Sequence, residues 1–238
     1  MEKGEFAELS KNTVTAKEQL KETEFVTFEN AENTGLRVLF LGNSITRHAP
    51  KADIGWHFDH GMAASEKEKD YVHLLMVRIK KQDPNAAFCL CQGAAWERCY
   101  QNGSKTYDLF SSARDFGADI IVMRLTENCP YQAFDGDIFA RELSAFLTYL
   151  DPTGKAKRLY TTSFWRHPAD TATRALAKKE HAPLIELSDL GEKPEMKALG
   201  LFEHNGVANH PGDLGMEHIA ARIGEKLDEI LLNFQKND

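Results

Sequence analysis

The sequence predicts an α/β protein, a parallel sheet of five strands covered by helices on both faces. Three features predict it. From residue 36 onward, short apolar runs alternate with segments of helical periodicity. The runs are compact and continuously apolar, as strands buried on both faces are, and the first, Arg37-Val38-Leu39-Phe40-Leu41-Gly42, ends in glycine. The clearest helical segments carry a single apolar stripe, as in residues 135–150, where Phe139, Leu143, Phe146, Leu147 and Leu150 share a face.

The elements follow in chain order. Residues 1–34 hold eight glutamates and four lysines, so −4 of the net −7 sits there, and they read as an appendage on a main domain of residues 35–238. Within the appendage, the capping-box spacing Thr15-Ala16-Lys17-Glu18 predicts a short helix to residue 24, and residues 25–28 a short strand. After the 37–42 strand come a helix over 71–81, stopped near Asp83-Pro84, a strand over 86–92, a helix over 108–116 and a strand over 120–123. The 135–150 helix ends at Asp151-Pro152; a strand over 158–162, a helix over 169–181 and a strand over 184–187 follow. A last helix from Leu214 carries Met216, Ile219, Ala220, Ile223, Leu227 and Ile230 as its stripe.

Composition narrows the function classes. Of 238 residues, 42% are hydrophobic and 27% charged, enough for a large core and against wholesale disorder. A net charge of −7 without a basic patch speaks against a nucleic-acid partner. No apolar run approaches the ~20 residues of a membrane span. The start, Met1-Glu2-Lys3-Gly4-Glu5, lacks the pattern of a secretory signal, and the four clustered cysteines fit a reducing compartment, so a soluble cytoplasmic protein is expected, its oligomeric state unreadable.

Chemistry in such sheets gathers beyond the carboxyl ends of the strands, which nominates four loops. The first is Gly42-Asn43-Ser44-Ile45-Thr46, where a serine at a strand-to-helix turn exposes its hydroxyl; a plain helix cap is the alternative. The second is Gln92-Gly93-Ala94-Ala95, whose glycine admits close approach of a ligand or simply turns the chain. The third, Arg124-Leu125-Thr126-Glu127-Asn128, offers a carboxamide donor or turn chemistry. The fourth, Asn209-His210-Pro211-Gly212-Asp213, places a histidine before the last helix.

In this order the four pieces resemble the blocks of the SGNH (GDSL-type) hydrolase family, over residues 37–221. The resemblance implies a flavodoxin-like three-layer α/β/α sandwich with a five-stranded parallel sheet. It also implies ester hydrolysis that needs neither metal nor organic cofactor. Ser44 matches the nucleophile, in a block where aspartate is commoner than Asn43. The Ser44 and Gly93 N–H groups and the Asn128 side chain match the oxyanion hole, and His210 the catalytic base. A looser likeness to a bacterial subset covers Gly61-Met62-Ala63-Ala64-Ser65 and Asp70-Tyr71.

Two positions depart from the family pattern. Thr126 replaces a glycine, and Val207 stands where the family carries an acid three residues before the histidine. Losing the group that orients the imidazole costs ~10⁴ in turnover in the serine-protease case, so another acceptor is expected. Glu203 is the nearest upstream carboxylate and the expected third member; Asp213 or a backbone carbonyl are the alternatives.

The expected function is therefore serine ester hydrolysis through an acyl-enzyme, on short acyl (acetyl) esters of small molecules or carbohydrates, rising with pH through about 6–7 as His210 loses its proton. A lipase or thioesterase of the same family and a non-catalytic binding protein are the alternatives; a flavin or nucleotide binder is disfavoured by the lack of a Gly-x-Gly-x-x-Gly run. Trp56 and Trp165 fall near the nominated loops, where rings either stack on sugars or pack, and Arg124 either pairs with Glu97 or Glu127 or binds a substrate anion. His57-Phe58-Asp59-His60 reads as a polar stretch lining the site entrance; the alternative, two histidines three apart on a helical face binding zinc with Asp53 or Asp59, lacks a third ligand at a persuasive spacing. Asp135-Gly136-Asp137 reads as helix capping, and Cys89 and Cys91 as buried thiols on one strand face.

Overall fold

A computed structural model describes residues 20–234 of the chain. Six strands form one sheet: β1 (Val26–Glu29), β2 (Arg37–Gly42), β3 (Ala87–Gln92), β4 (Ile120–Met123), β5 (Lys157–Thr161) and β6 (Leu184–Ile185), in the spatial order β1-β3-β2-β4-β5-β6. Strands β2 to β6 are mutually parallel, and β1 runs antiparallel to β3 with Val26 opposite Cys91. Counted from β2, the five parallel strands run 2-1-3-4-5, the flavodoxin-like order, whose topological switch point lies between β2 and β4.

The sheet thus has six strands, not five, because the 25–28 segment adds an antiparallel edge. Val26 is fully buried in it, and the Phe28 ring lies 5.6 Å from that of Phe116. Part of the helix expected to residue 24 (15–19) lies outside the described residues, and residues 20–25 are not helical. There the Thr23 hydroxyl accepts the N–H groups of Phe25 and Val26 at 3.2 and 3.1 Å, turning the chain into β1.

The helices are α1 (Tyr71–Lys80), α2 (Ala94–Arg98), α3 (Ser111–Asp115), α4 (Gly136–Leu150), α5 (Ala169–Lys179), α6 (Asn205–Ala208) and α7 (Asp213–Phe234). Where one helix over 108–116 is expected, 3-10 turns run from Tyr100 to Phe110 and α3 begins only at Ser111. Thr106 and Ser111 there bond carbonyls three residues back, at 2.7 and 3.1 Å, which favours the tighter turn. Asp70 and Asp135 cap α1 and α4 by accepting the amides of His73 and Ile138, so the Asp135-Gly136-Asp137 run is capping chemistry.

Alternate residues of each strand feed two cores. Leu39, Leu41, Cys89, Cys91, Ile121 and Met123 pack under α4 and α5 with the rings of Trp96, Phe139 and Phe146. Val38, Phe40, Phe88, Leu90, Ile120 and Val122 pack under α1 and α7, where Leu75, Ile79, Met216, Ile223 and Leu227 close the other layer. Each such side chain contributes about 1.5–3 kcal/mol by leaving water, so both faces hold the strands rigidly. Among the described residues, no helix is long and apolar enough to cross a membrane.

Candidate active site

Register brings the nominated loops together. Gly42 lies beside Gln92 and Leu41 beside Met123, so the chain leaves β2, β3 and β4 at one edge, at the switch point. The turn after β2 is fixed from both sides: the Thr46 and Arg47 amides bond the Asn43 carbonyl, and the Met62 amide bonds that of Ser44 at 2.8 Å. Residues 61–65 serve as this brace, since Asp70 accepts the Gly61 amide and Asp213 accepts the Ser65 amide and hydroxyl.

Ser44 Oγ stands 2.8 Å from His210 Nε2. The histidine arrives on the loop between α6 and α7, and its Nδ1 lies 2.7 Å from the carbonyl oxygen of Gly206. That carbonyl belongs to the short helix α6, whose last carbonyls have no helical partner of their own. A carbonyl only accepts, so Nδ1 carries the proton and Nε2 is left to accept from the serine hydroxyl. Burial disfavours the charged ring and outweighs the Gly206 bond; with the charge of Arg124 it brings the His210 pKa down to about 4. Trp165 stands edge-to-face on the imidazole at 5.2 Å.

Glu203 is not the orienting acceptor. It is exposed beside a neighbouring depression lined by Asp53 and His204, and the Gly206 carbonyl holds Nδ1 instead. Asp213 is committed to Ser65 and Lys69, and Val207 is buried against Trp56, Met62 and Ala198.

Beneath the serine lies a buried polar cluster that ties the first three loops together. The Asn43 carboxamide donates to Glu97 Oε1 at 3.0 Å and to Glu127 Oε2 at 2.6 Å, and its oxygen accepts from Arg124. Arg124 also pairs with Glu127 at 2.5 Å, and Glu127 accepts the Phe164 amide at 2.9 Å. Glu97 accepts the Thr126 amide at 2.5 Å and the Asn128 Nδ2 at 2.6 Å. Burial works against the charge of Glu127, but Arg124 holds its pKa below the ordinary range, while burial and the Glu127 charge push Glu97 up. Thr126 sits at φ 147°, in a region that β-branched residues avoid.

A cavity of about 370 Å³ opens beside Ser44, lined by Asn128, His210, Gln92, His48, Lys51 and Arg98 among others. The Ser44 amide makes no hydrogen bond among the described residues, and one Asn128 Nδ2 proton remains after the bond to Glu97. Gly93 is different: its amide already bonds the Gly42 carbonyl at 2.6 Å, and it is absent from the lining. A Cβ there would lie 2.9 Å from Leu125 Cδ2, so a larger residue would displace that side chain.

Other candidates fall away from the cavity. Trp56 is fully buried, its Nε1 bonded to the His48 carbonyl at 2.9 Å, so it packs and cannot stack on a sugar. Arg124 is fully buried in the polar cluster and offers nothing to a substrate. His57 and His60 are not on a helix; the first is exposed and the second buried against Trp56. Sequence reasoning missed Gly206, His48, Lys51, Arg98 and the bond from Asn128 to Glu97. The one available signal was an acid, Glu97, inside the apolar stretch that follows Gly93.

The fold and this loop arrangement define an SGNH hydrolase fold. No protein-family model and no curated protein matches the chain. Among solved structures it is similar to the lipase/acylhydrolase from Enterococcus faecalis, at 14% identity and TM-score 0.56 over 81% of this chain and 95% of that one. It is similar to the psychrotrophic esterase EstA from Pseudoalteromonas sp., at 13% identity and TM-score 0.54 over 83% and 99%. It is also similar to a two-domain esterase active on acetylated mannans, at 17% identity and TM-score 0.53 over 82% of this chain and 50% of that protein, whose length it half spans.

Proposed function

We propose that the protein is a serine ester hydrolase that works through an acyl-enzyme on short acyl, chiefly acetyl, esters. The observation that carries this reading is the 2.8 Å contact between Ser44 Oγ and His210 Nε2 at the edge of a cavity. Ser44 Oγ attacks the ester carbonyl carbon while Nε2 takes its proton; the proton then passes to the departing alkoxide, leaving an acyl-serine. Water, deprotonated by the same Nε2, attacks that acyl group and restores the hydroxyl. The Ser44 amide and the second Nδ2 proton of Asn128 are the donors for the oxyanion, and one such donor is worth ~3–4 kcal/mol in the transition state.

The Gly206 carbonyl supports catalysis over a purely binding role, because it preserves the tautomer that an absent carboxylate would otherwise have fixed. A cavity of about 370 Å³ suits a small acyl ester. The similar mannan esterase makes an acetylated carbohydrate a candidate, although Trp56 gives no stacking surface for it. The test is hydrolysis of p-nitrophenyl acetate by the wild type and by Ser44→Ala, with fluorophosphonate labelling in parallel. Ser44-dependent turnover and stoichiometric labelling are expected; equal rates in the two proteins would end the proposal.

A further inference from the structure

The cavity beside Ser44 is cationic on an acidic protein. Its lining includes Lys51 and Arg98, with His48, His204 and His210, and not one aspartate or glutamate, although the chain carries a net charge of −7. The acids Asp53 and Glu203 line the adjoining depression beyond Ile54 and His204, so the positive lining is confined to the side that holds the nucleophile. Clefts lined by one sign of charge concentrate ligands of the other.

Arg98 makes the point sharper. The sequence has eleven arginines. Nine of the others pair with a carboxylate, and Arg37 bonds the Phe116 carbonyl. The side chain of Arg98, exposed at the end of α2, makes no hydrogen bond or ion pair among the described residues. Lys51 is barely more engaged, with Asp53 at 3.8 Å and both side chains more than half exposed. His48 places Nδ1 2.6 Å from the Ala49 carbonyl, and burial together with the charges of Lys51 and Arg98 lowers its pKa, so it is a neutral neighbour to them. A guanidinium at the mouth of the cavity, its five donors without a partner among the described residues, fits a planar anion in two-point contact.

We propose that the esters taken by this site carry an anionic group, a carboxylate, held by Arg98 with Lys51 beside it. The inference rests on the esterase reading and adds the substrate class to it. The carboxylate can belong to the acyl half or to the alcohol half, and the probes separate the two. Mono-p-nitrophenyl succinate against p-nitrophenyl butyrate places the charge on the acyl side. 4-Acetoxybenzoate against its methyl ester places it on the leaving side.

In at least one pair the charged ester is expected to have the higher kcat/KM, by about ten- to a hundredfold, as for one charge-assisted contact. That preference shrinks with added salt. In Arg98→Gln the charged-to-neutral ratio is expected to fall toward one, and in Lys51→Gln part of the way. Neutral esters turned over as well as charged ones in both pairs, with Ser44 dependence intact, would overturn the anion inference and leave the esterase reading standing, as would a preference that survives Arg98→Gln. Absence of any Ser44-dependent turnover would overturn both.

Discussion

The carbonyl oxygen of Gly206 lies 2.7 Å from Nδ1 of His210, in the place a carboxylate takes in a full triad. It supplies the orienting half of that role without the charge that would stabilise an imidazolium. The pH dependence follows from this. With the His210 pKa near 4 rather than 6.5, the neutral base is already formed in mildly acidic solution. The kcat/KM for p-nitrophenyl acetate is therefore expected to rise through pH 4 and to be flat well before pH 6. The expectation of a rise through 6–7, drawn from the unperturbed imidazole, is corrected by burial. Glu203→Gln is expected to leave the profile unmoved. A profile centred at 6–7, or one shifted by Glu203→Gln, would show that a carboxylate reaches the ring. Folding is linked to the same proton: between pH 4 and 6.5 the unfolded chain binds more of it, so stability from this group is present above 6.5 and declines as pH falls through that window.

Glu97 holds Asn128, the proposed oxyanion donor. Both of its oxygens receive only N–H groups, from Asn43, Thr126 and Asn128. Glu97→Gln puts an amide donor against one of these donors and turns the Asn128 carboxamide away from its place. Removing one oxyanion donor costs about 10²–10³ in turnover, which sets the ceiling for this variant. The expected loss lies in kcat, with KM nearly unchanged, and Glu97→Gln combined with Asn128→Ala should be little worse than Asn128→Ala alone. Additive losses in that double-mutant cycle would mean that Glu97 acts by another route.

Asn43, and not an aspartate, suits the buried cluster around it. Its amide donates to two carboxylates, Glu97 and Glu127, that share the single charge of Arg124. Asn43→Asp would set a third buried carboxylate against them. A buried charge left uncompensated costs about 3–5 kcal/mol, so a loss of that order is expected in urea denaturation at pH 7, easing at acidic pH as the carboxyls protonate. A variant as stable as the wild type would show that the cluster holds fewer charges than its geometry requires.

The candidate site is legible in the sequence where residue type and position coincide. Ser44, Asn128 and His210 stand on loops that the strand rule nominates, and a hydroxyl, a carboxamide and an imidazole name their own chemistry. Gly206 is illegible because the working atom is a backbone carbonyl, which every residue has. Trp56 misleads because an aromatic beside a carboxyl-end loop reads the same whether it faces solvent or, as here, the packed cluster around Val207. Gly93 misleads in the opposite way: the glycine keeps clear of Leu125, but its amide is bonded to the Gly42 carbonyl and not open. The five parallel strands are legible as buried apolar runs. Antiparallel β1 makes six by joining the β3 edge, a pairing between segments about sixty residues apart.

The backbone is strained at Thr126, and the strain is removable. Its φ of 147° suits glycine, and its buried hydroxyl has no hydrogen-bond partner among the described residues. A residue held in such a region costs about 1–3 kcal/mol, and an unsatisfied buried hydroxyl about as much again. What keeps it there is its amide, bonded to Glu97 at 2.5 Å, a contact that any residue type can make. Thr126→Gly removes the strain and the orphan hydroxyl together, against roughly 1 kcal/mol of added chain entropy and a small void. Replacing a fully buried threonine by glycine ordinarily destabilises; here the variant is expected to match or exceed the wild-type midpoint in urea and to keep its kcat, because Asn128 stays tied to Glu97. Marked destabilisation would show that the threonine methyl packs for more than the backbone loses, and a fall in kcat at unchanged stability would show that the branched side chain itself fixes the loop that carries Asn128.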